Sequence, residues 1–109
     1  MGRRAAARRA HVSDADALTP AVDELASELG SLRVAHANAA ILTQSATISD
    51  LDLDEWHRVL AVNLTGVLLI FRAVLPHFEA EGGLLLATGS STALGGIPGG
   101  IFAPGEGVE

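Results

Sequence analysis

The chain has 109 residues, of which 49% are hydrophobic and 18% are charged. This composition fits one small globular domain and excludes an intrinsically disordered chain. The sequence contains no Cys, no Tyr and no Lys, so all seven basic residues are Arg. These absences exclude disulfides, cysteine-ligated zinc and any reaction in which this chain supplies a tyrosine or lysine side chain.

The charge is distributed unevenly. Four of the seven Arg lie in residues 1–10, and the remaining three stand against thirteen acidic residues, so the rest of the chain carries a net charge of 3 − 13 = −10. An acidic body argues against a nucleic-acid partner. The longest apolar run, Val67–Phe71, is far shorter than the ~20 residues that span a bilayer. We therefore expect no membrane partner and a cytoplasmic location.

The basic residues 1–10 are predicted to form a disordered tail. The apolar part of this segment, Ala5–Ala7, is too short for a secretory signal, which needs an apolar region of about seven or more residues. An Arg-rich, acid-poor leader of the mitochondrial type is the alternative interpretation of the same residues.

The first predicted helix begins near a capping box at residues 13–16, with a hydroxyl first and a carboxylate three residues later. Thr19 and Pro20 offer a second possible start, and Gly30 is placed to end the helix. One apolar face follows from the spacing of Leu18, Val22, Leu25 and Leu29.

Two short apolar segments, Leu32–Ala40 and Leu84–Thr88, predict strands that are buried on both faces, as in parallel sheets. Between them, a helix capped by Asp52 is predicted from about Leu53 to Phe78, and Pro76 is expected to kink or end it. The order helix–strand–helix–strand predicts an α/β fold built on a doubly wound parallel sheet.

Three segments in the right order carry a family resemblance. They are Val34-Ala35-His36-Ala37-Asn38-Ala39-Ala40-Ile41, Asp54 to Gly66, and Gly82 to Ser91. Together with Val12-Ser13-Asp14, they resemble the short-chain dehydrogenase/reductase family. The resemblance implies that residues 11–94 form the central part of a Rossmann-like domain, here incomplete, with residues 95–109 as a Gly/Pro-rich C-terminal tail.

The resemblance also implies a chemistry, which is hydride transfer between NAD or NADP and a small carbonyl or alcohol substrate. In this family a Tyr is the acid/base, a Lys assists it, a Ser binds the substrate oxygen and an Asn holds a water. Asn63 would take the asparagine role, and Ser90, with Ser91 as the alternative, the serine role. The residues expected beside the cofactor are Val12, Asn38, Ala39 and Ala40.

The departures from the family pattern are as informative. The sequence has no glycine-rich phosphate turn, no Tyr and no Lys, and Ala37 and Ala40 replace the first Asn and the Gly of Asn-Asn-Ala-Gly. We therefore predict an internal fragment that does not catalyse hydride transfer as a lone chain. The alternative is a non-catalytic remnant or small association module that forms a homo-oligomer through helix 53–78.

Metal sites are weakly indicated. Asp50, Asp52 and Asp54 have the first spacings of a calcium loop, but the Gly and the final acid are missing. His77 and Glu81 are four residues apart, but Pro76 and Gly82 flank them. We predict no metal, and expect His36 to be a buried core histidine with its hydrogen bonds satisfied.

Overall fold

The computed structural model describes residues 2–44, 47–91 and 94. Its elements in chain order are helix α1 (Ala15–Leu29), strand β1 (Val34–Ala37), the long helix α2 (Leu53–His77) and strand β2 (Leu84–Ala87). The predicted order helix–strand–helix–strand is therefore confirmed. The predicted tail at residues 95–109 lies outside the described residues, and the domain boundaries stay a prediction.

Helix α1 begins one residue later than the predicted capping box implies. Its N-cap is Asp14, whose Oδ1 accepts hydrogen bonds from the backbone N–H groups of Asp16 at 3.1 Å and Ala17 at 3.2 Å. The prediction that Ser13 opens the helix is wrong, because the carboxylate of the next residue satisfies two of the unpaired amides of the first turn.

Helix α1 is continuous and ends where predicted. Pro20 lies inside it, so Thr19 does not start a second helix. Gly30 has φ of 97° and donates its backbone N–H to the carbonyl of Ala26 at 2.8 Å. This left-handed conformation suits glycine and stops the helix.

Helix α2 changes its winding along its length. Asp52 caps it by accepting from the N–H of Asp54 at 3.1 Å. A π-helical turn, Ala61–Thr65, interrupts the α-helix, and a 3₁₀ turn with Pro76 closes it at Leu75–His77. The helix thus ends one residue before the predicted Phe78, and its wider turn contains Asn63, one of the predicted site residues.

Within the described residues, one helix, Leu53–His77, is long and apolar enough to cross a membrane, with a mean hydropathy of 2.0 in its most apolar stretch. Length and composition are the only basis for this finding. Core helices pass the same test, and α2 packs here against both α1 and β1. It is therefore weak evidence for a membrane span.

The two strands pair in parallel, as predicted, with Val34 opposite Leu84 and Ala37 opposite Ala87. They are shorter than the predicted segments. Thr88 extends the pairing by donating its N–H to the carbonyl of Ala37 at 3.1 Å. The carboxyl ends of both strands therefore lie side by side.

The sheet is covered on one face. Ala35 and Ala37 are buried on the side where α2 packs, whereas Val34, Leu84 and Leu86 on the other side are 57%, 51% and 41% exposed. The prediction of burial on both faces is wrong for this chain, because α1 packs on α2 and no described element covers the opposite face. Among the described residues, the buried apolar ones are Leu18, Ala26, Ala35, Ala37, Val59, Ala73 and Val74.

The segment before α1 is attached to that helix at one point. Residues 2–10 form neither helix nor strand, but Arg8 makes ion pairs with Glu24 at 2.7 Å and Glu28 at 2.8 Å. Hydrogen bonds to Glu24, and then to Glu28, raise the pKa of Arg8 above its ordinary value. The pairs are exposed, so they position the segment more than they stabilise the fold.

Candidate active site

A cleft of about 430 Å³ lies at the carboxyl ends of the two strands. Ligand sites of open parallel α/β sheets occupy this position. Its walls come from β1 and the loop after it, from α2, and from the segment after β2. The lining residues are Ala37, Ala39, Ala40, Ile41, Leu42, Asn63, Val67, Thr88, Gly89 and Ser90.

Asn63 joins the long helix to the loop after β1. Its Oδ1 accepts from the backbone N–H of Ile41 at 2.8 Å, and its Nδ2 donates to the carbonyl of Ile41 at 2.8 Å. One amide therefore satisfies both backbone groups of a part-buried loop residue. Oδ1 keeps a second lone pair and Nδ2 a second hydrogen, so the side chain can still bind a further group.

The structure places the predicted serine on the cleft. Ser90 lines it, and Ser91 is not among the lining residues. Both are exposed. This placement supports Ser90 over Ser91, and its catalytic role stays a prediction.

The predicted cofactor residues divide into two groups. Ala39 and Ala40 line the cleft, and Asn38 lies between lining residues. Val12 lies elsewhere, against α2, since a Cβ built on Gly66 would be 2.9 Å from Val12 Cγ2. The cleft therefore brings Asn63, Ser90, Ala39 and Ala40 together, but not Val12.

Two polar residues beside the cleft have roles that the sequence did not indicate. His36 is exposed instead of buried, and its Nε2 lies 2.8 Å from Oγ1 of Thr88. Thr88 in turn donates to Oδ1 of Asn38 at 2.7 Å. The prediction of a core histidine is wrong because His36 points to the uncovered face of the sheet. Its spacing alone could not reveal a partner 52 residues away.

Two of the candidate metal ligands have other partners. His77 Nε2 lies 2.6 Å from Asp23 Oδ1, and Asp52 caps α2. In the part of the chain that the structure describes, no three His, Cys, Asp or Glu residues are grouped to hold a metal ion.

Comparison with known proteins agrees with this geometry. Cis-4-hydroxycyclohexanecarboxylate dehydrogenase of Sinomonas cyclohexanicum is 41% identical over 81 residues, which are 74% of this chain and 32% of that protein. The chain spans about a third of the length of the curated relatives that it matches.

Solved structures show the same fold. A short chain dehydrogenase of Burkholderia cenocepacia in complex with NADP has a TM-score of 0.70 and 31% identity over 79% of this chain and 34% of its own. An NAD⁺-bound xylitol dehydrogenase has a TM-score of 0.73 and 26% identity over 82% of this chain and 35% of its own. A model of the family described as short chain dehydrogenase matches residues 1–102. The chain therefore belongs to the short-chain dehydrogenase/reductase family, which is NAD(P)-dependent.

Proposed function

We propose that this chain is the central part of an NAD(P)-dependent oxidoreductase and that its cleft contacts the nicotinamide cofactor. The reaction is hydride transfer between the cofactor and a small secondary alcohol or its ketone. One observation carries the proposal. The cleft at the carboxyl ends of the strands has Asn63 and Ser90 on its walls and small residues beside them.

The lining residues fit a nicotinamide cofactor. Ala39, Ala40 and Gly89 carry at most a methyl group, so a flat ring and a ribose can approach the backbone closely. The related structures hold NADP in one case and NAD⁺ in the other. We assign a nicotinamide dinucleotide without choosing between them, because no described residue distinguishes the ribose phosphate.

The chain's own residues supply positioning. When bound, the nicotinamide cofactor would supply the hydride chemistry. Ser90 donates a hydrogen bond to the substrate oxygen, and the remaining polar capacity of Asn63 holds a water near it. This chain has no Tyr and no Lys, so it provides no acid/base of the family's kind. We expect cofactor binding without turnover.

The substrate class comes from the relative with the highest identity quoted above, whose name gives a ring-bound secondary alcohol as its substrate. The apolar part of the cleft wall, at Ile41, Leu42 and Val67, suits the hydrocarbon part of such a molecule. We propose a small, largely apolar alcohol or ketone.

Titration of the 109-residue chain with NADH and NADPH, followed by isotope-edited NMR, tests the proposal. Amide shifts are expected at Asn63 and Ser90. Ala40→Leu fills the cleft and is expected to weaken binding, whereas Ala80→Leu, at an exposed position outside it, leaves binding unchanged. Equal affinities of the two variants, or turnover of an alcohol by the lone chain, would contradict the assignment.

A second candidate function is self-association through α2. Leu64, Leu68 and Leu75 are 66%, 62% and 53% exposed, and positions 68 and 75 are seven residues apart on one side of the helix. A second copy of α2 would bury these side chains. We propose a homo-oligomer as the alternative to a catalytic part.

Sedimentation velocity over a hundredfold concentration range tests this alternative. Leu68→Glu is expected to give a monomer, and Ala80→Glu adds the same charge away from the helix and leaves the oligomer intact. A wild-type chain that is monomeric throughout would refute it.

We also propose a cytoplasmic protein without membrane or nucleic-acid partners. The net charge of −6 repels both phosphate backbones and anionic lipids. Recovery of the expressed chain in the membrane fraction after a salt wash would contradict this proposal.

A further inference from the structure

The uncovered face of the sheet ends in three polar side chains joined by hydrogen bonds. His36 Nε2 lies 2.8 Å from Thr88 Oγ1, and Thr88 Oγ1 donates to Asn38 Oδ1 at 2.7 Å. The same face nearer the amino ends of the strands is apolar, with Val34, Leu84 and Leu86 exposed. The polar group is therefore confined to the end of the sheet where the cleft lies.

The directions of these hydrogen bonds follow from the chemistry of the groups. An amide Oδ1 only accepts, so Thr88 must donate to Asn38. The Thr88 hydroxyl has one hydrogen, which that bond uses, so the His36 nitrogen must be the donor in the other bond. The chain thus runs from His36 Nε2–H to Thr88 and from Thr88 to Asn38.

This direction fixes the orientation of the Asn38 amide. Its oxygen is held by Thr88, so its Nδ2 and two hydrogens point away from that hydroxyl. Among the described residues none accepts a hydrogen bond from this Nδ2. Asn38 lies between Ala37 and Ala39, and all three of Ala37, Ala39 and Thr88 line the cleft. Asn38 itself is exposed and is not among the lining residues, so its two N–H donors lie beside the cleft.

We propose that His36 and Thr88 are positioning residues, which hold Asn38 as a hydrogen-bond donor to an acceptor oxygen of the nicotinamide cofactor. This inference rests on the proposed function, because it takes the cofactor as the ligand of the cleft. In this scheme neither His36 nor Thr88 makes a hydrogen bond of its own to the ligand. They prevent the Asn38 amide from rotating so that its oxygen faces the ligand.

Loss of the Thr88 hydroxyl releases this constraint. The Asn38 amide then samples both orientations. In one of them its Oδ1, in place of its Nδ2, faces the acceptor oxygen of the cofactor, and no hydrogen bond can form. A neutral hydrogen bond of ordinary strength corresponds to about a fivefold change in affinity. Thr88→Val is the sharpest substitution, because valine has the shape of threonine without the hydroxyl, and Thr88→Ser restores the hydroxyl.

The first measurement needs no ligand. Nitrogen shifts of the His36 ring in the 109-residue chain report which ring nitrogen carries the proton. We expect a protonated Nε2 in the wild type and in Thr88→Ser, and a mixture of tautomers in Thr88→Val. A wild-type His36 with an unprotonated Nε2 would overturn the proposal, since Thr88 would then donate to His36.

The second measurement is affinity for NADH and NADPH. Thr88→Val and His36→Leu are expected to bind about fivefold more weakly, whereas Thr88→Ser and His36→Gln, which keep a hydroxyl and a donor nitrogen, stay within about twofold of the wild type. Two substituted positions keep the test valid if one variant fails to fold.

The outcomes separate the two proposals. Unchanged affinity in Thr88→Val and His36→Leu, with altered His36 shifts, refutes positioning and leaves the proposed function standing. A wild-type chain that binds neither dinucleotide refutes the proposed function and with it the cofactor as the ligand of Asn38. Weaker binding in both variants, restored by serine and glutamine, supports both.

Discussion

The contact between Asn63 and Ile41 gives the sharpest stability prediction. Asn63→Leu keeps a side chain of similar size but removes both hydrogen bonds, each 2.8 Å long, from the Ile41 backbone. A neutral hydrogen bond contributes about 0.5–1.5 kcal/mol, so two correspond to about 1–3 kcal/mol. Ile41 is partly accessible to water, which can replace some of this loss. We expect Asn63→Leu to lower the free energy of unfolding by about 2 kcal/mol.

The chain has a single Trp, Trp56 on α2, whose fluorescence reports urea unfolding together with far-ultraviolet circular dichroism. Thr65→Ala is the matched control, because Thr65 lies in the same π turn and is exposed. Its effect should stay within about 0.5 kcal/mol, as for ordinary surface substitutions. Coincident transitions by the two probes justify a two-state analysis.

Asn63→Asp keeps one of the two hydrogen bonds to Ile41 and removes the other. One oxygen of the new carboxylate still accepts a hydrogen bond from the N–H of Ile41. The other, negatively charged, lies against the carbonyl oxygen of Ile41. That contact disfavours the charged form, so we expect the new carboxyl group to have a raised pKa and the variant to gain stability as the pH falls through it. If Asn63→Leu unfolds at the wild-type urea midpoint, with an unchanged slope, the paired hydrogen bonds do not hold the loop in solution.

Three further predictions concern packing and charge. Gly66→Ala places a Cβ 2.9 Å from a Val12 methyl group. The substitution is expected to lower the free energy of unfolding by about 1 kcal/mol, despite a helix-propensity gain of similar size. When Val12→Ala removes the methyl group, the same Gly66→Ala substitution should raise the free energy of unfolding measured in urea. Gly83→Ala places a Cβ 2.6 Å from the backbone carbonyl oxygen of Arg33 and should lower the free energy of unfolding by at least about 2 kcal/mol. A melting temperature equal to that of the wild type would contradict the close approach of Gly83 to the segment before β1. Asp23→Asn removes the 2.6 Å contact with His77, whose side chains are 57% and 25% exposed. In buffer acidic enough to protonate His77 the contact is an ion pair, so the loss should be about 0.5 kcal/mol at low salt and should shrink in thermal melts as salt screens the pair.

The sequence predicts the elements and their order because these depend on local features. The spacing of Leu18, Val22, Leu25 and Leu29 and the glycine at position 30 are enough to define α1. The cap at Asp52 and the proline at position 76 bound α2 in the same way. The family resemblance predicted Asn63 and Ser90 as site residues, and both line the cleft.

The features that the sequence could not predict depend on contacts between distant segments. His36 and Thr88 are 52 residues apart, and only the parallel register of β1 and β2 brings them together. The burial of the strands depends on which elements cover the sheet, so short apolar runs alone could not indicate that one face is open. Val12, which the resemblance places beside the cofactor, packs against Gly66 of α2, and its contact with the cofactor stays a prediction.

The alternation of β1 explains why the Asn63 amide, which lines the cleft, and the Asn38 amide, which lies beside it, are held in different ways. Ala35 and Ala37 face the helices, and their small size lets α2 approach, so that Asn63 reaches the loop just beyond the strand. His36 and Asn38 belong to the opposite face, where side chains alone hold Asn38 in place. The Asn63 amide is therefore hydrogen-bonded to backbone groups, and the Asn38 amide to a side chain. Substitutions on the helix side should change stability and ligand contacts together, whereas those on the open side should change ligand contacts with little effect on stability, because their hydrogen bonds are exposed.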